Sequence, residues 1–375
     1  MKVGILGGGQ LARMMAQAGG PLGLEFVFLD PAEDACAGPL GKLLVADWPA
    51  APDREELLAC DRLTADFENV PAAVLKALSG RVIVRPGPQA FEAGQDRLVE
   101  KTLFQSLDIP IPDFAPVSSR PALLEAIERI GLPAVLKTRR LGYDGKGQFV
   151  LRSKEDLEPA WSTLGGHDLI LEAWVPFRHE CSVTAVRSAS GELAFYPLSW
   201  TVHRQGILKL ALAPAPVSEA LIANARAMVS RLMEHLDYVG CLTLELFATE
   251  DGLLANEFAP RVHNSAHWTI EGSVTSQFEN HLRAVCDLPL GATDMRGQVL
   301  MLNWIGQMPD RERLLAVPGL HWHDYGKKPR AGRKVGHATL AAKDKPDLIA
   351  AVDQLVPLLD DQMASLVTGE MTPAD

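Results

Sequence analysis

The chain has 375 residues and a net charge of −11. That length supports two or three domains with substantial cores. The acidic balance argues against a general nucleic-acid or membrane-surface role, while leaving room for a local basic pocket.

No apolar run reaches the length of a membrane span. The N-terminus, MKVGILGGG, enters a strand at once and lacks a signal-peptide layout. Residues 2–6 read as a short buried strand, Gly7-Gly8-Gly9 as a tight turn, residues 10–18 as a helix and residues 24–29 as a second strand ending at Asp30. Strand, glycine turn, helix, strand is a βαβ unit and predicts a parallel sheet. Residues 63–67 and 82–84 extend it, and Pro86-Gly87-Pro88 closes it. A charged amphipathic helix covers 96–107. The proline-rich stretch from Ile109 to Pro116 predicts an irregular linker. Beyond it come a helix over 123–130, a strand over 134–137, a glycine-rich loop over 141–148 and strands over 169–175 and 180–186. A helix over 218–236 and a hairpin follow. A smaller region after Leu290 includes 299–305 and 330–340. The predicted domains are 1–108, 109–190 and 191–375, with a subdomain from about 291. The cysteines (Cys36, Cys60, Cys181, Cys241, Cys286) are odd in number and lack CxxC spacing, so they read as reduced, mostly buried thiols of a cytoplasmic protein.

Two glycine runs invite anions. Gly7, Gly9 and Ala12 spell G-x-G-x-x-A with Asp30 downstream, which suits a dinucleotide or, equally, a sugar phosphate at a helix N-terminus; a tight turn with no ligand is the competing reading. The second run, LKTRRLGYDGKGQ, places Gly142, Gly145 and Gly147 within six residues, flanked by Lys137 and containing Lys146. Such backbone cradles phosphate, and the lysines supply point charges. It is not a Walker motif. Tyr143 and Asp144 at its tip suggest a lid that carries an aromatic ring and an acid to a substrate. A plain surface hairpin is the competing reading.

The hairpin is the most telling stretch. Residues 242–247 and 253–258 are apolar runs, each with one acid, joined by Glu250-Asp251-Gly252. A loop centred near Asp251 sets Glu245 across from Glu257, with Cβ atoms about 4.5–5.5 Å apart. Two carboxylates that close repel unless a cation lies between them or one is protonated. Mg²⁺ shared with substrate phosphates resolves this; exposed acids on a sheet face are the alternative. Glu172 and Glu180 flank a strand edge that could hold a nucleoside. Arg261, His263, Asn264, Ser265 and His267 crowd the segment after the hairpin, as in a substrate pocket. Lys327, Arg330, Arg333 and Lys334 form a late basic loop suited to phosphate or carboxylate.

Taken in order, GGGQLARM (Gly7–Met14), FENV (Phe67–Val70), LKTRRLGYDGKGQ (Leu136–Gln148), VHRQGIL (Val202–Leu208), NEFAPRVHNSAHWT (Asn256–Thr269) and GRKVGH (Gly332–His337) resemble the ATP-grasp superfamily. Within it the chain is most similar to the 5-(carboxyamino)imidazole ribonucleotide synthase family, over nearly its whole length. Ala65-Asp66 stands where that family more often has Tyr-Glu, Ala266 where HNSGHW is usual, and Leu141 precedes the lid glycine. Asp66 is the departure nearest the expected substrate contacts.

The resemblance implies an α/β (α+β) ATP-grasp fold with a Rossmann-like pre-ATP-grasp domain, a lid domain and a C-terminal β-rich domain. It implies ATP- and bicarbonate-dependent carboxylation of aminoimidazole ribonucleotide, through carboxyphosphate, in purine biosynthesis. ATP would meet Arg97, Lys137, Gly142, Tyr143, Asp144, Gly145, Lys146, Gly147, Gln148, Glu172, Ala173, Trp174, Val175, Glu180, His203, Asn256 and Glu257. Glu245 and Glu257 would hold Mg²⁺, or Mn²⁺ in its place. The ribonucleotide would meet Gln10, Tyr143, Lys146, Arg261, Lys327 and Arg333, with Lys334 nearby. Asp144 and Lys327 would handle protons and orientation. A homodimer is implied, and neither nucleic acid nor membrane is expected as a partner. Rival readings are a formate-dependent ribonucleotide transformylase of the same superfamily and an NAD-dependent oxidoreductase built on the first glycine turn. The second rival leaves the glycine loop and the acidic hairpin without a task.

Overall fold

A computed structural model describes residues 1–142 and 145–371. Three sheets organise them. The first contains β1 (Lys2–Leu6), β2 (Glu25–Asp30), β3 (Lys42–Val45) and β4 (Arg62–Ala65), all parallel, in the order β3-β2-β1-β4. β1 is buried at four of its five positions, as a central parallel strand must be. The helix Gln10–Gly19 follows the glycine turn. Its Leu11, Ala12 and Met15 share a core with Val3, Ile5 and Phe28 of the sheet and with Phe278 and Leu282 of the helix Gln277–Val285. That shared core ties the first sheet to the rest of the molecule. Residues 82–84, expected as a strand, make only a single parallel bridge between Val84 and Leu63, because Pro86 carries the chain away at once.

The second sheet is antiparallel, with β5 (Phe114–Val117), β6 (Ala134–Thr138), β7 (Gln148–Leu151) and β8 (Leu169–Ala173) in the order β5-β8-β6-β7. The expected linker therefore ends in a strand. Pro116 is tolerated because β5 is an edge strand, so no ladder bond on its outer side is lost. Helices Arg120–Ile130 and Leu157–Leu164 cover this sheet over a core of Leu123, Ile127, Leu136, Leu164 and Leu171.

The third sheet has nine strands. These are β9 (His179–Arg187), β10 (Leu193–Phe195), β11 (Ser199–Arg204), β12 (Ile207–Ala213), β13 (Gly240–Ala248), β14 (Leu253–Ala259), β15 (Gln298–Ile305), β16 (Leu320–Asp324) and β17 (Lys334–Ala342). Their order is β14-β13-β9-β11-β12-β15-β17-β16, with β10 alongside β9. The helix Glu219–His235 opens with the Ser218 side chain accepting the Leu221 amide. It presses Met228, Val229, Leu232 and Met233 onto Val183, Leu244, Leu246 and Ala255. That helix closes one face of the hairpin end of the sheet. The opposite face of β13 carries Cys241, packed under the helix Gln277–Val285, and, nearer the hairpin turn, Glu245.

Candidate active site

The expected pairing of Glu245 with Glu257 is present, and it depends on an irregularity. From the turn inward, Ala248 faces Leu253, Phe247 faces Leu254 and Leu246 faces Ala255. Continued regularly, this register would set Glu245 against Asn256. Instead the register slips by one residue and Glu245 faces Glu257. A bulge flips the side on which the next residue points. Ala255 and Leu246 therefore stay in the core under the helix, while Asn256 and Glu257 are both partly exposed and Glu245 keeps the cleft side. Lys101, fully buried on the helix Arg97–Ser106, donates to the carbonyl of Asn256 at 2.6 Å and so holds the bulge.

The two acids have unequal surroundings. Arg97 Nη1 donates to Glu257 Oε2 at 2.7 Å. Burial opposes ionisation of Glu257, but Arg97, Lys137 and Lys101 outweigh it and hold the carboxyl below its ordinary range. Burial, reinforced by the charge on Glu257, pushes Glu245 up to about 7, and His203 and Lys334 favour its charged form too weakly to prevent this. His263 Nδ1 accepts the Ser265 amide at 3.3 Å, which leaves its proton on Nε2, 3.1 Å from Glu245 Oε1. Asn256 Oδ1 is buried beside the pair without a hydrogen-bond partner. An oxygen set of this kind, in which Arg97 offsets Glu257 while Glu245 is held back from ionising, fits a hard divalent cation. Among the described residues no third His, Cys, Asp or Glu completes a protein cage. That suits Mg²⁺, which keeps waters and phosphate oxygens in its shell.

Above the hairpin, β6 and β8 bring Lys137 Nζ to 2.9 Å from Glu172 Oε2, with Lys101 Nζ 3.4 Å from the same oxygen. Burial opposes a charged Glu172, yet Lys101, Lys137 and Arg97 draw it down to about 2. The root of the glycine loop is fixed by the Thr138 amide donating to Gly147 O at 2.7 Å. Gly145 and Gly147 sit at φ of 75° and 72°. A Cβ on Gly145 would lie 2.6 Å from Gln205 O in the β11–β12 turn, and one on Gly147 would lie 2.5 Å from Thr138 Oγ1. Glycine is required at both, and the loop lies directly on the large sheet. Lys146 belongs to this loop and Gln148 opens β7, paired with Lys137; Tyr143 and Asp144 fall outside the described residues.

Ala173 ends β8, and Trp174 and Val175 carry the chain into the connection to β9, with Trp174 exposed. Glu180 Oε2 meets His203 Nδ1 at 2.9 Å. Burial disfavours the charged imidazole there, but the bond to Glu180 prevails and raises the pKa of His203.

A second cluster adjoins the first. Lys327 Nζ donates to Gln10 Oε1 across 317 positions of sequence. Burial lowers the basicity of Lys327, with smaller contributions from Arg333 and Lys334, and Lys334 also acts on Glu245. Arg261, just beyond β14, donates from Nε to Glu68 Oε2 at 2.5 Å.

The first glycine turn departs from expectation. Its amides do not await a phosphate: Gly8 donates to Asp30 Oδ2 at 2.7 Å, and Gly9 and Ala12 donate to Asp66 Oδ2 at 2.8 and 3.2 Å. The chain's own carboxylates occupy the helix N-terminus. The sequence reading also missed Lys101, Glu100 and Glu68 as site residues. Arg97, Glu100 and Lys101 stand at i, i+3 and i+4 on one helix face, a signal the charged helix did offer. Glu100 accepts the Phe258 amide at 2.8 Å, next to Glu257.

Comparison with known proteins matches the same architecture. Residues 1–95 match the ribonucleotide synthetase preATP-grasp domain, 102–278 the ATP-grasp domain and 299–351 the phosphoribosylaminoimidazole carboxylase C-terminal domain. A Pseudomonas aeruginosa protein named N5-carboxyaminoimidazole ribonucleotide synthase is 50% identical over 361 residues, covering 96% of this chain and 100% of the relative. The crystal structure of the Thermus thermophilus N5-carboxyaminoimidazole ribonucleotide synthetase superposes with a TM-score of 0.91 at 51% identity, covering 96% of this chain and 99% of that one. An Aspergillus clavatus N5-carboxyaminoimidazole synthase, solved with ADP and 5-aminoimidazole ribonucleotide, superposes with a TM-score of 0.88 at 32% identity, covering 97% and 98%.

Proposed function

The chain belongs to the N5-carboxyaminoimidazole ribonucleotide synthase family of ATP-grasp ligases, and from that premise we propose how its own residues perform the reaction. It converts 5-aminoimidazole ribonucleotide to the N5-carboxy product in an ATP-dependent step of purine biosynthesis, forming a C–N bond. The observation that carries our assignment of roles is the bulged pairing of Glu245 with Glu257 on the open side of the hairpin, beside Arg97 and near the Lys137–Glu172 pair.

ATP lies between the second and third sheets. Lys137, Arg97 and the amides of Gly142, Gly145 and Gly147 receive the phosphates, with Tyr143, Asp144, Lys146 and Gln148 completing the loop. Glu172–Val175, Glu180 and His203 receive the nucleoside, and Asn256 and Glu257 close the phosphate end. Glu245 and Glu257 would hold Mg²⁺, replaceable by Mn²⁺, which when bound would neutralise charge on the transferring phosphoryl group. Bicarbonate oxygen attacks the γ-phosphorus, ADP leaves, and Lys137 and Arg97 stabilise the charge that develops. Carboxyphosphate is short-lived in water, and the loop lying on the β11–β12 turn excludes solvent. The carboxyl group passes to the exocyclic amine, phosphate is released, and Asp144 and Lys327 manage the amine proton and the orientation. Gln10, Tyr143, Lys146, Arg261, Lys327 and Arg333 hold the ribonucleotide, with Lys334 alongside. Five buried free thiols fit a reducing, cytoplasmic setting. No helix among the described residues is long and apolar enough to cross a membrane. The active species is a homodimer, a point light scattering would decide.

Transfer of label from bicarbonate into the ribonucleotide, only when ATP is present, is the expected result. Label taken from formate in its place would instead make the protein a transformylase.

A further inference from the structure

Asp96 caps the helix Arg97–Ser106, its Oδ1 accepting the Leu98 amide at 3.0 Å. Helix caps commonly sit at the surface, but this side chain is only 2% exposed. Its remaining acceptor capacity goes to two consecutive arginines from the root of the glycine loop. Arg139 Nε reaches Oδ1 at 2.9 Å and Arg139 Nη2 reaches Oδ2 at 2.7 Å; Arg140 Nε reaches Oδ2 at 3.1 Å. The Arg97 amide donates in return to Arg139 O at 2.9 Å, and the Arg139 amide to Asp168 O at 3.0 Å. A fork-shaped guanidinium on both oxygens of one carboxylate fixes direction as well as distance.

What the knot joins gives it meaning. Arg97, the next residue, reaches Glu257. Lys137 lies two residues before Arg139, and Gly142 two residues after Arg140. A Cβ on Gly142 would stand 3.6 Å from Arg97 Nη2. The helix bearing one phosphate-facing cation and the strand bearing the other therefore meet at a single buried carboxylate. None of the ligand roles above uses that group.

We propose that Asp96 is a positioning residue for ATP: it locks the root of the glycine loop to Arg97, so that Arg97, Lys137 and the loop amides meet the triphosphate in one fixed arrangement. The inference rests on the ATP reading of Arg97 and Lys137. It is tested on the full chain with Asp96→Asn, which keeps a helix cap but loses the charge that holds the arginines, and with Arg139→Gln and Arg140→Gln.

Calorimetry with the non-hydrolysable analogue AMP-PNP should show affinity weakened about tenfold in Asp96→Asn and in Arg139→Gln, with the double variant no worse than either alone. The ribonucleotide KM should move less than the nucleotide affinity does, because Gln10, Arg261, Lys327 and Arg333 of that pocket stand on other elements and only Tyr143 and Lys146 come from the loop. Amide exchange over residues 138–142, without nucleotide, should quicken by about tenfold. Arg140 is 59% exposed, so Arg140→Gln folds even if Asp96→Asn does not, and should weaken AMP-PNP binding by about two- to fivefold. Unchanged nucleotide affinity in these variants, or effects that multiply in the double variant, would overturn the proposal. If the wild-type protein binds no AMP-PNP, the assignment of the ATP site fails; the exchange measurement still decides the lock, because unaltered exchange in Asp96→Asn refutes it.

Discussion

At the level of single residues, the site is a set of charges that buried neighbours force into particular states. Glu257 is kept ionised by Arg97, so its removal should strike the reaction rather than the fold. Glu257→Gln retains an oxygen for Arg97 but not the charge for a cation. Turnover should fall on the order of 100-fold while the melting temperature stays within a few degrees. Steady-state ADP release beside a thermal melt checks both, and near-wild-type turnover would remove Glu257 from the machinery. Asp66 makes a different prediction. Burial, opposed by the Ala12 and Gly9 amides, pushes its pKa to about 6 from an ordinary 3.8. The folded state therefore holds the proton more tightly than the unfolded chain. The associated stability is complete below the ordinary carboxyl range and is lost as pH rises through about 6. Asp66→Asn can still accept from both amides and carries no charge to bury. Measured by urea unfolding, its stability relative to wild type should improve by roughly 1–3 kcal/mol between about pH 4 and pH 7. A gap that does not change with pH would contradict this account of Asp66.

At the level of elements, the hairpin and the glycine loop show what could be read from sequence and what could not. The two apolar runs and the Glu250-Asp251-Gly252 turn located the strands, and the midpoint at Asp251 named the correct pair. The tighter closure, Ala248 against Leu253, would have paired Glu245 with Asn256 had the ladder stayed regular. The bulge has no local signature; it is held by Lys101, which is more than 150 residues away in sequence. Likewise G-x-G-x-x-A correctly announced a βαβ turn but not its occupants, because Asp30 and Asp66 reach it only once the sheet has formed. Pro116 misled because proline content speaks against central strands and not against edges. The glycine loop was legible because its positive-φ positions cannot be filled by other residues. Gly145→Ala brings both strain and a contact with Gln205 O. It should lift the loop from the β11–β12 turn, raise the ATP KM several-fold, on the order of 3–10, and increase unproductive ATP hydrolysis relative to carboxylation. A normal ratio of phosphate to carboxylated product would argue that the loop does not seal the cleft.

At the level of the whole molecule, residues positioned by all three sheets contribute to the proposed site. The first sheet brings Gln10, the second brings Lys137, and the third carries Glu245, Glu257 and Lys334, with Lys327 following β16. The order of motifs along the chain was enough to indicate the architecture. The cross-sheet contacts, Gln10 with Lys327 and Glu68 with Arg261, bridge distances in sequence that no local pattern encodes. The central claim is that these pieces form one cleft in which phosphoryl transfer and carboxyl transfer are coupled. The most direct test measures ADP release from ATP and Mg²⁺ with bicarbonate and 5-aminoimidazole ribonucleotide supplied separately and then together. The account predicts little release with either alone and rapid release, matched by carboxylated ribonucleotide, with both. Equal ADP release whether or not the ribonucleotide and bicarbonate are present, with no carboxylated product, would contradict it.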